Sequence, residues 1–137
     1  AALKIDSFLQ AGYCNELETQ FIELADPVQL RTLQPDYRRL QNSSSQVKEV
    51  VVTSVSDQSD YDFLLRSFCP WIGIDEDPVT GSVHSVLAHY WKQRTDRTAL
   101  HAFQASERGG DVYLQALEDH VLIGGKIKLV GQNELLV

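Results

Sequence analysis

The groups in this chain that could do chemistry gather in one stretch, Asp75-Glu76-Asp77-Pro78-Val79-Thr80-Gly81-Ser82-Val83-His84. Pro78 keeps Asp77 out of helical geometry. Thr80 and Ser82 are residue types that cap helices, and Gly81 lets a ligand approach bare backbone. Val83, Val86, Leu87, Tyr90 and Trp91 then recur at i, i+3, i+4, i+7 and i+8, which predicts a helix from about Gly81 to Arg94. The first N–H groups of a helix have no partners within it and bind anions. Asp77 would place a carboxylate beside such a hole, as proton transfer next to an acid group requires. The same residues also spell a turn, a cap and a core helix, and from the physics alone that plainer reading is favoured, since capped helices vastly outnumber active sites.

Other constellations fail on geometry. His84 and His89 are five apart, do not share a helix face, and have no cysteine or carboxylate at a ligand spacing, so no metal site is expected. Both read as structural or solvent-facing histidines. Ser82 and His84 would point about 200° apart on a helix and cannot form a nucleophile–base pair. The G-x-S-x-G elbow is also missing. Gly109-Gly110 reads as a hairpin turn rather than a phosphate loop, and Asp75 and Glu76 as helix-entry charges favoured by the dipole. No cofactor is expected.

At 137 residues, with 43% hydrophobic and 23% charged residues, the chain reads as one soluble globular domain over 1–137. A net charge of −7 without a basic cluster argues against a nucleic-acid surface. There is no apolar run long enough for a membrane span and no signal-peptide pattern. Cys14 and Cys69 are read as reduced thiols of a cytoplasmic protein. The lack of any methionine fits a chain that begins inside a larger gene product.

The elements around the central stretch follow from patterning. Ala1 to Ile5 reads as the last turn of a helix, and Phe8 to Cys14 and Glu18 to Leu24 as two strands. Asp26-Pro27 starts a short helix carrying Val28, Leu30 and Leu33, and Asp36 caps a further turn with Tyr37 and Leu40. After the polar loop Gln41 to Gln46, Val47 to Val55 reads as a central strand buried on both faces, and Tyr61 to Cys69 as its neighbour. Beyond the helix, Leu100 to Ser106, Val112 to Leu117, Val121 to Ile123, Lys126 to Val130 and Glu134 to Val137 form a meander with tight turns. Ser85, Ala88 and His89 leave the helix nearly uncharged on its reverse side, so both its faces are expected to be covered. The fold class is therefore α+β: a curled mixed or antiparallel sheet, a β-roll, wrapped around one central helix.

Glu76-Asp77-Pro78-Val79-Thr80-Gly81-Ser82-Val83-His84 resembles the C-terminal signature of the phenazine-biosynthesis PhzF-like family. Tyr61-Asp62-Phe63, Phe68-Cys69-Pro70-Trp71, His101 to Ser106, Arg108-Gly109-Gly110 and Val28 to Tyr37 support the match. The likeness covers nearly the whole chain but the second half of such an enzyme. It implies an isomerase or epimerase of the diaminopimelate-epimerase-like fold, acting on a small carboxylate and often homodimeric. By resemblance Asp77 is an acid or proton relay, and Thr80, Gly81 and Ser82 hold the substrate's oxyanion. The family's principal glutamate lies in the N-terminal domain, a partner absent from this sequence, so the fragment alone is expected to be inactive. The alternative is a non-catalytic domain that binds an anion or a protein through the face that would meet the missing domain.

Overall fold

A computed structural model describes residues 2–131. Its strands are β1 (Gln10–Cys14), β2 (Thr19–Leu24), β3 (Glu49–Val55), β4 (Phe63–Cys69), β5 (Ile74–Asp77), β6 (Ala99–Gln104), β7 (Gly110–Ala116) and β8 (Val121–Gly125). The helices are α1 (Pro27–Thr32), α2 (Tyr37–Gln41) and α3 (His84–Thr95), with a 3₁₀ turn at Pro70–Ile72. All the strands join one mixed sheet in the order β1-β2-β3-β4-β6-β7-β8. The β2–β3 and β4–β6 pairs are parallel and the rest antiparallel.

One edge of β4 is shared. β6 pairs with its first half, Phe63 to Leu65, and β5 with its second half, Ser67 to Cys69. Because β5 is antiparallel and β6 parallel to β4, the two run head to head. They end at Asp77, opposite Ser67, and at Gln104, opposite Leu65. Neither strand can continue, so both chains must leave the sheet at that junction. The departing β5 chain becomes α3.

Two cores lie on the two faces. Val51, Phe63, Leu65, Leu100, Ala102, Val112 and Leu114 bury Val83, Leu87, Ala88 and Trp91 of the α3 segment. Val50, Val52, Leu64 and Phe68 pack against Leu30, Leu33 and Leu40 of the α1–α2 segment. The alternation Val50-Val51-Val52 thus serves opposite faces, as a strand buried on both sides requires. Trp91 stacks on Phe63 at 5.1 Å, and its indole N–H donates to the Thr53 hydroxyl at 3.0 Å. On the other face the Arg66 guanidinium grips Glu76 with two 2.7 Å bonds and donates to the Leu33 carbonyl at 2.8 Å. It ties β4, β5 and the end of α1 together through charge-assisted bonds.

Several expectations hold. Asp26 caps α1 through Val28 N–H at 2.7 Å, and Asp36 caps α2 through Arg39 N–H at 3.0 Å. The central strand and its neighbour are in place, and both cysteines are free.

Others are corrected. Asp75-Glu76-Asp77 is strand rather than helix entry, because β4 has an open half-edge there and Arg66 neutralises Glu76. α3 begins at His84 and not at Gly81; its N-cap is Val83, with no side-chain cap. Its reverse side is covered only at Ala88, since Ser85 and His89 are exposed, and within the apolar stripe Val86 and Tyr90 are half-buried. The sheet is mixed and open, since among the described residues β1 and β8 do not pair, and α1 and α2 add a second helical layer. Residues 2–5 form no helical turn. Lys126 to Val130 is not a strand: the β8 ladder ends at Val112↔Gly125, and Lys126 meets β7 only through its side chain, which donates to Asp111 at 3.0 Å. Glu134 to Val137 lies outside the described residues. No helix among the described residues is long and apolar enough to cross a membrane.

Leu87 is 1% exposed beneath α3. Leu87→Ala should cost ~2–5 kcal/mol through lost burial and a residual cavity. Urea denaturation checks this; an unchanged midpoint would mean that α3 contributes little to the core.

Candidate active site at the β5–α3 loop

The loop from Asp77 to Val83 is held by side chains of the strand that meets it. Gln104, fully buried, uses both ends of its amide. Its Oε1 accepts from Thr80 N–H at 2.8 Å, and its Nε2 donates to the Asp77 carbonyl at 2.7 Å and to Thr80 Oγ1 at 3.2 Å. Ser106 Oγ donates to the Pro78 carbonyl at 2.6 Å and accepts from Gly109 N–H at 3.1 Å. At Gly110 an added Cβ would lie 2.4 Å from Val79 Cγ2, so glycine there is what lets β7 approach the loop. A buried amide thus fixes the loop ahead of the helix, whose own start has no side-chain cap.

The half-buried Asp77 carboxylate accepts from Thr80 Oγ1 at 2.8 Å. It does not fold over the helix start, and Thr80 N–H is taken by Gln104. Gly81 and Ser82 carbonyls accept from His84 and Ser85 N–H, both at 3.1 Å, in the tight turn that opens α3. The N–H groups of Gly81, Ser82 and Val83 have no acceptor among the described hydrogen bonds, and Gly81 and Ser82 are exposed. An added Cβ at Gly81 would meet nothing within 4 Å, so the backbone there lies open. Thr80, by contrast, is buried and structural in its contacts.

Three features were not visible in the sequence. Gln104 sits 24 residues from Thr80 and is an unremarked strand residue until the fold brings them together. His84 is fully buried beneath the loop against Phe63, with neither ring nitrogen in a hydrogen bond. Burial pushes its pKa down to about 4, outweighing the nearby Thr80 and Gly81 backbone that favours the charged form. Finally, Thr80 and Gly81 border an open crevice with Arg108, Gly109, Gly110 and the segment from Ile123 to Lys128. Arg108 brings positive charge to that flank, Lys126 is ion-paired there to Asp111 at 3.0 Å, and Asp77 does not line the crevice. Cys69 is no thiolate nucleophile: burial first, then the charges of Glu49 and Asp77, pushes its thiol up to about 11. No group of three or more metal-ligating side chains occurs among the described residues.

An open mixed sheet with a bare helix start and an adjacent carboxylate defines an α+β protein whose candidate site lies at a strand-to-helix loop. Residues 4–132 match the family described as phenazine biosynthesis-like protein, PhzC-PhzF, and the chain belongs to that family. It is 36% identical over 116 residues to an uncharacterized isomerase of Halalkalibacterium halodurans, covering 85% of this chain and 43% of that protein. It is 49% identical over 59 residues to the human phenazine biosynthesis-like domain-containing protein, covering 43% of this chain and 20% of that one. The crystal structure of a PhzF-family protein from Enterococcus faecalis superposes with a TM-score of 0.82 at 34% identity, over 91% of this chain and 46% of that one. The chain therefore spans less than half the length of these relatives.

Two measurements test the loop. Gln104→Leu keeps the volume but leaves buried Thr80 N–H and the Asp77 carbonyl unpaired; urea denaturation should show a loss of ~2–4 kcal/mol. No loss would mean the loop is held by other contacts. For His84, the folded chain keeps the ring neutral while the unfolded chain protonates near 6.5. Its contribution is complete above pH 6.5 and falls as the pH drops towards about 4, by up to ~3 kcal/mol. His84→Phe should lose markedly less stability than the wild type across that window, and equal losses would place the pH dependence elsewhere.

Proposed function

We propose that this chain supplies one half of the active site of a PhzF-like isomerase that moves a proton on a small carboxylate substrate. The observation that carries this reading is the exposed pair Gly81 and Ser82, whose N–H groups have no acceptor among the described hydrogen bonds, beside a carboxylate that does not bond to them. In this reading Thr80, Gly81 and Ser82 form the oxyanion site. Gly81 and Ser82 offer backbone donors, and Thr80 fixes the loop and orients Asp77. Removing a proton next to a carboxylate builds negative charge on its oxygens, and fixed N–H donors at a helix start stabilise that charge. Asp77 then acts as acid or proton relay, with its second oxygen free of described partners.

The principal base and the contacts to the substrate's variable end belong, in this reading, to the portion of the relatives that this chain does not span. The sheet would curl about α3 as a roll: Tyr90 of α3 reaches Gln10 of β1 at 3.3 Å, and β8 lies along the same helix. Exposed Ile72 and Ile74, before and at the start of β5, and exposed Leu122 and Ile123 on the edge strand β8, offer apolar side chains to a second domain or a second copy in a cytoplasmic homodimer. The same exposure favours the second reading, a non-catalytic interaction module.

Two experiments separate these. The chain alone should show amide shifts at Gly81, Ser82 and Val83 on titration with propionate, yet incorporate no solvent deuterium into small carboxylic acids. Robust exchange would put the chemistry on other residues, and silent amides would favour the interaction module. In the complete enzyme Asp77→Asn should cut turnover by ~10²-fold or more with little change in melting temperature. Unchanged turnover with a fall of several degrees would make Asp77 a structural residue of the loop.

A further inference from the structure

On the α3 face of the sheet a row of polar side chains crosses four strands beside the loop. Thr19 lies opposite Glu49, Val51 opposite Ser67, and Ser67 opposite Asp77. Side chains opposite one another point to one face, and residues two apart on a strand share it. Val51 belongs to the α3 core, so Thr19, Glu49, Ser67 and Asp77 all lie on that face. Here β4 changes from apolar Phe63 and Leu65 to Ser67, and β3 from Val51 to Glu49.

The Glu49 carboxylate lies against two fully buried hydroxyls: Ser67 Oγ donates to Oε1, and Thr19 Oγ1 shares its proton between the Leu17 carbonyl at 3.0 Å and Glu49 Oε2 at 3.1 Å. Ser67 therefore stands between two carboxylates, bonded to Glu49 and a direct cross-strand neighbour of Asp77. Among the described residues neither acid is ion-paired, whereas Glu23, Glu76, Asp57, Asp62 and Asp111 all are. The Cys69 thiol feels both charges. Unneutralised like charges two strands apart, at ~10 Å, lie within electrostatic reach of each other and of whatever occupies the face between them.

We propose that Glu49 is a specificity-determining residue of the candidate site: an anchored negative charge that disfavours ligands carrying a second anionic group near Asp77. It favours ligands whose second substituent is neutral or cationic. This rests on the carboxylate-binding reading above, with the helix start as the anion's partner. Glu49 touches no reacting atom in this scheme. It acts through the potential it sets across Ser67.

The test compares three probes that share one carboxylate: propionate, succinate and β-alanine. Each is titrated into the chain at low ionic strength while the Gly81, Ser82 and Val83 amides are followed by NMR. Glu49→Gln, which keeps a hydrogen-bonding side chain but removes the charge, should raise succinate affinity relative to propionate by about three- to tenfold. It should lower β-alanine relative to propionate by a similar factor, and Glu49→Asp should keep the wild-type order. Should Glu49→Gln fail to fold, the wild type in ~0.5 M salt serves instead, since screening should shrink the same ratios. Failure of all three probes to move the wild-type amides would overturn the parent reading. Probes that bind with ratios insensitive to both charge removal and salt would overturn the role of Glu49 alone.

Discussion

Two strands meeting head-on along one edge of β4 is the constraint on which the candidate site depends. β5 and β6 occupy successive halves of that edge and run towards each other, so the chain must turn out of the sheet at Asp77 and at Gln104. The collision leaves the ends of both strands adjacent with unspent backbone groups. The Gln104 amide resolves this by pairing with Thr80 N–H and the Asp77 carbonyl at once. A buried amide with both ends satisfied is rigid, because any shift would strand polar groups away from water. The loop that carries Asp77 is thereby fixed relative to the sheet, and the next residues, Gly81 and Ser82, are exposed with N–H groups that have no acceptor among the described hydrogen bonds.

That arrangement explains why the helix start is free. A side-chain cap at Ser82 or Thr80 would have consumed the donors an anion needs. Here Thr80 turns its hydroxyl to Asp77, and Ser82 lends its carbonyl to Ser85. The anchoring energy comes from elsewhere: from Leu87, Ala88 and Trp91 in the α3 core, and from the Arg66–Glu76 pair on the opposite face. The Arg66 pair is well buried and bidentate, and its third contact reaches the end of α1. Both helical layers are thus keyed to the same stretch of β4.

His84 shows what the packing tolerates. A ring with no hydrogen bond on either nitrogen is costly to bury, and its neutral state is the only one the apolar surroundings accept. The contrast with Glu49, Ser67 and Thr19 is informative. Beside the loop the buried hydroxyls are used, and among the described residues neither the Glu49 nor the Asp77 carboxylate is ion-paired.

The sequence by itself determined the local decisions. Asp26-Pro27 and Asp36 define helix starts because an acceptor before the first turn satisfies orphan N–H groups whatever the tertiary context. Val47 to Val55 and Tyr61 to Cys69 read as buried strands from continuous apolar patterning, and the Glu76 to His84 motif identified the family. Tertiary structure decided what depends on distant partners. Ile74 to Asp77 became a strand because β4 had a vacant half-edge and Arg66 stood ready for Glu76, neither of which local charge pattern reveals. α3 starts at His84 rather than Gly81, and Gln104, far along the chain, holds Thr80 in the loop before it. Lys126 to Val130 alternates like a strand yet forms none, because its backbone does not continue the β8 ladder past the Val112–Gly125 pair. Pairing partners, rather than propensity, settle such segments, since a strand's hydrogen bonds are all made to another stretch of chain.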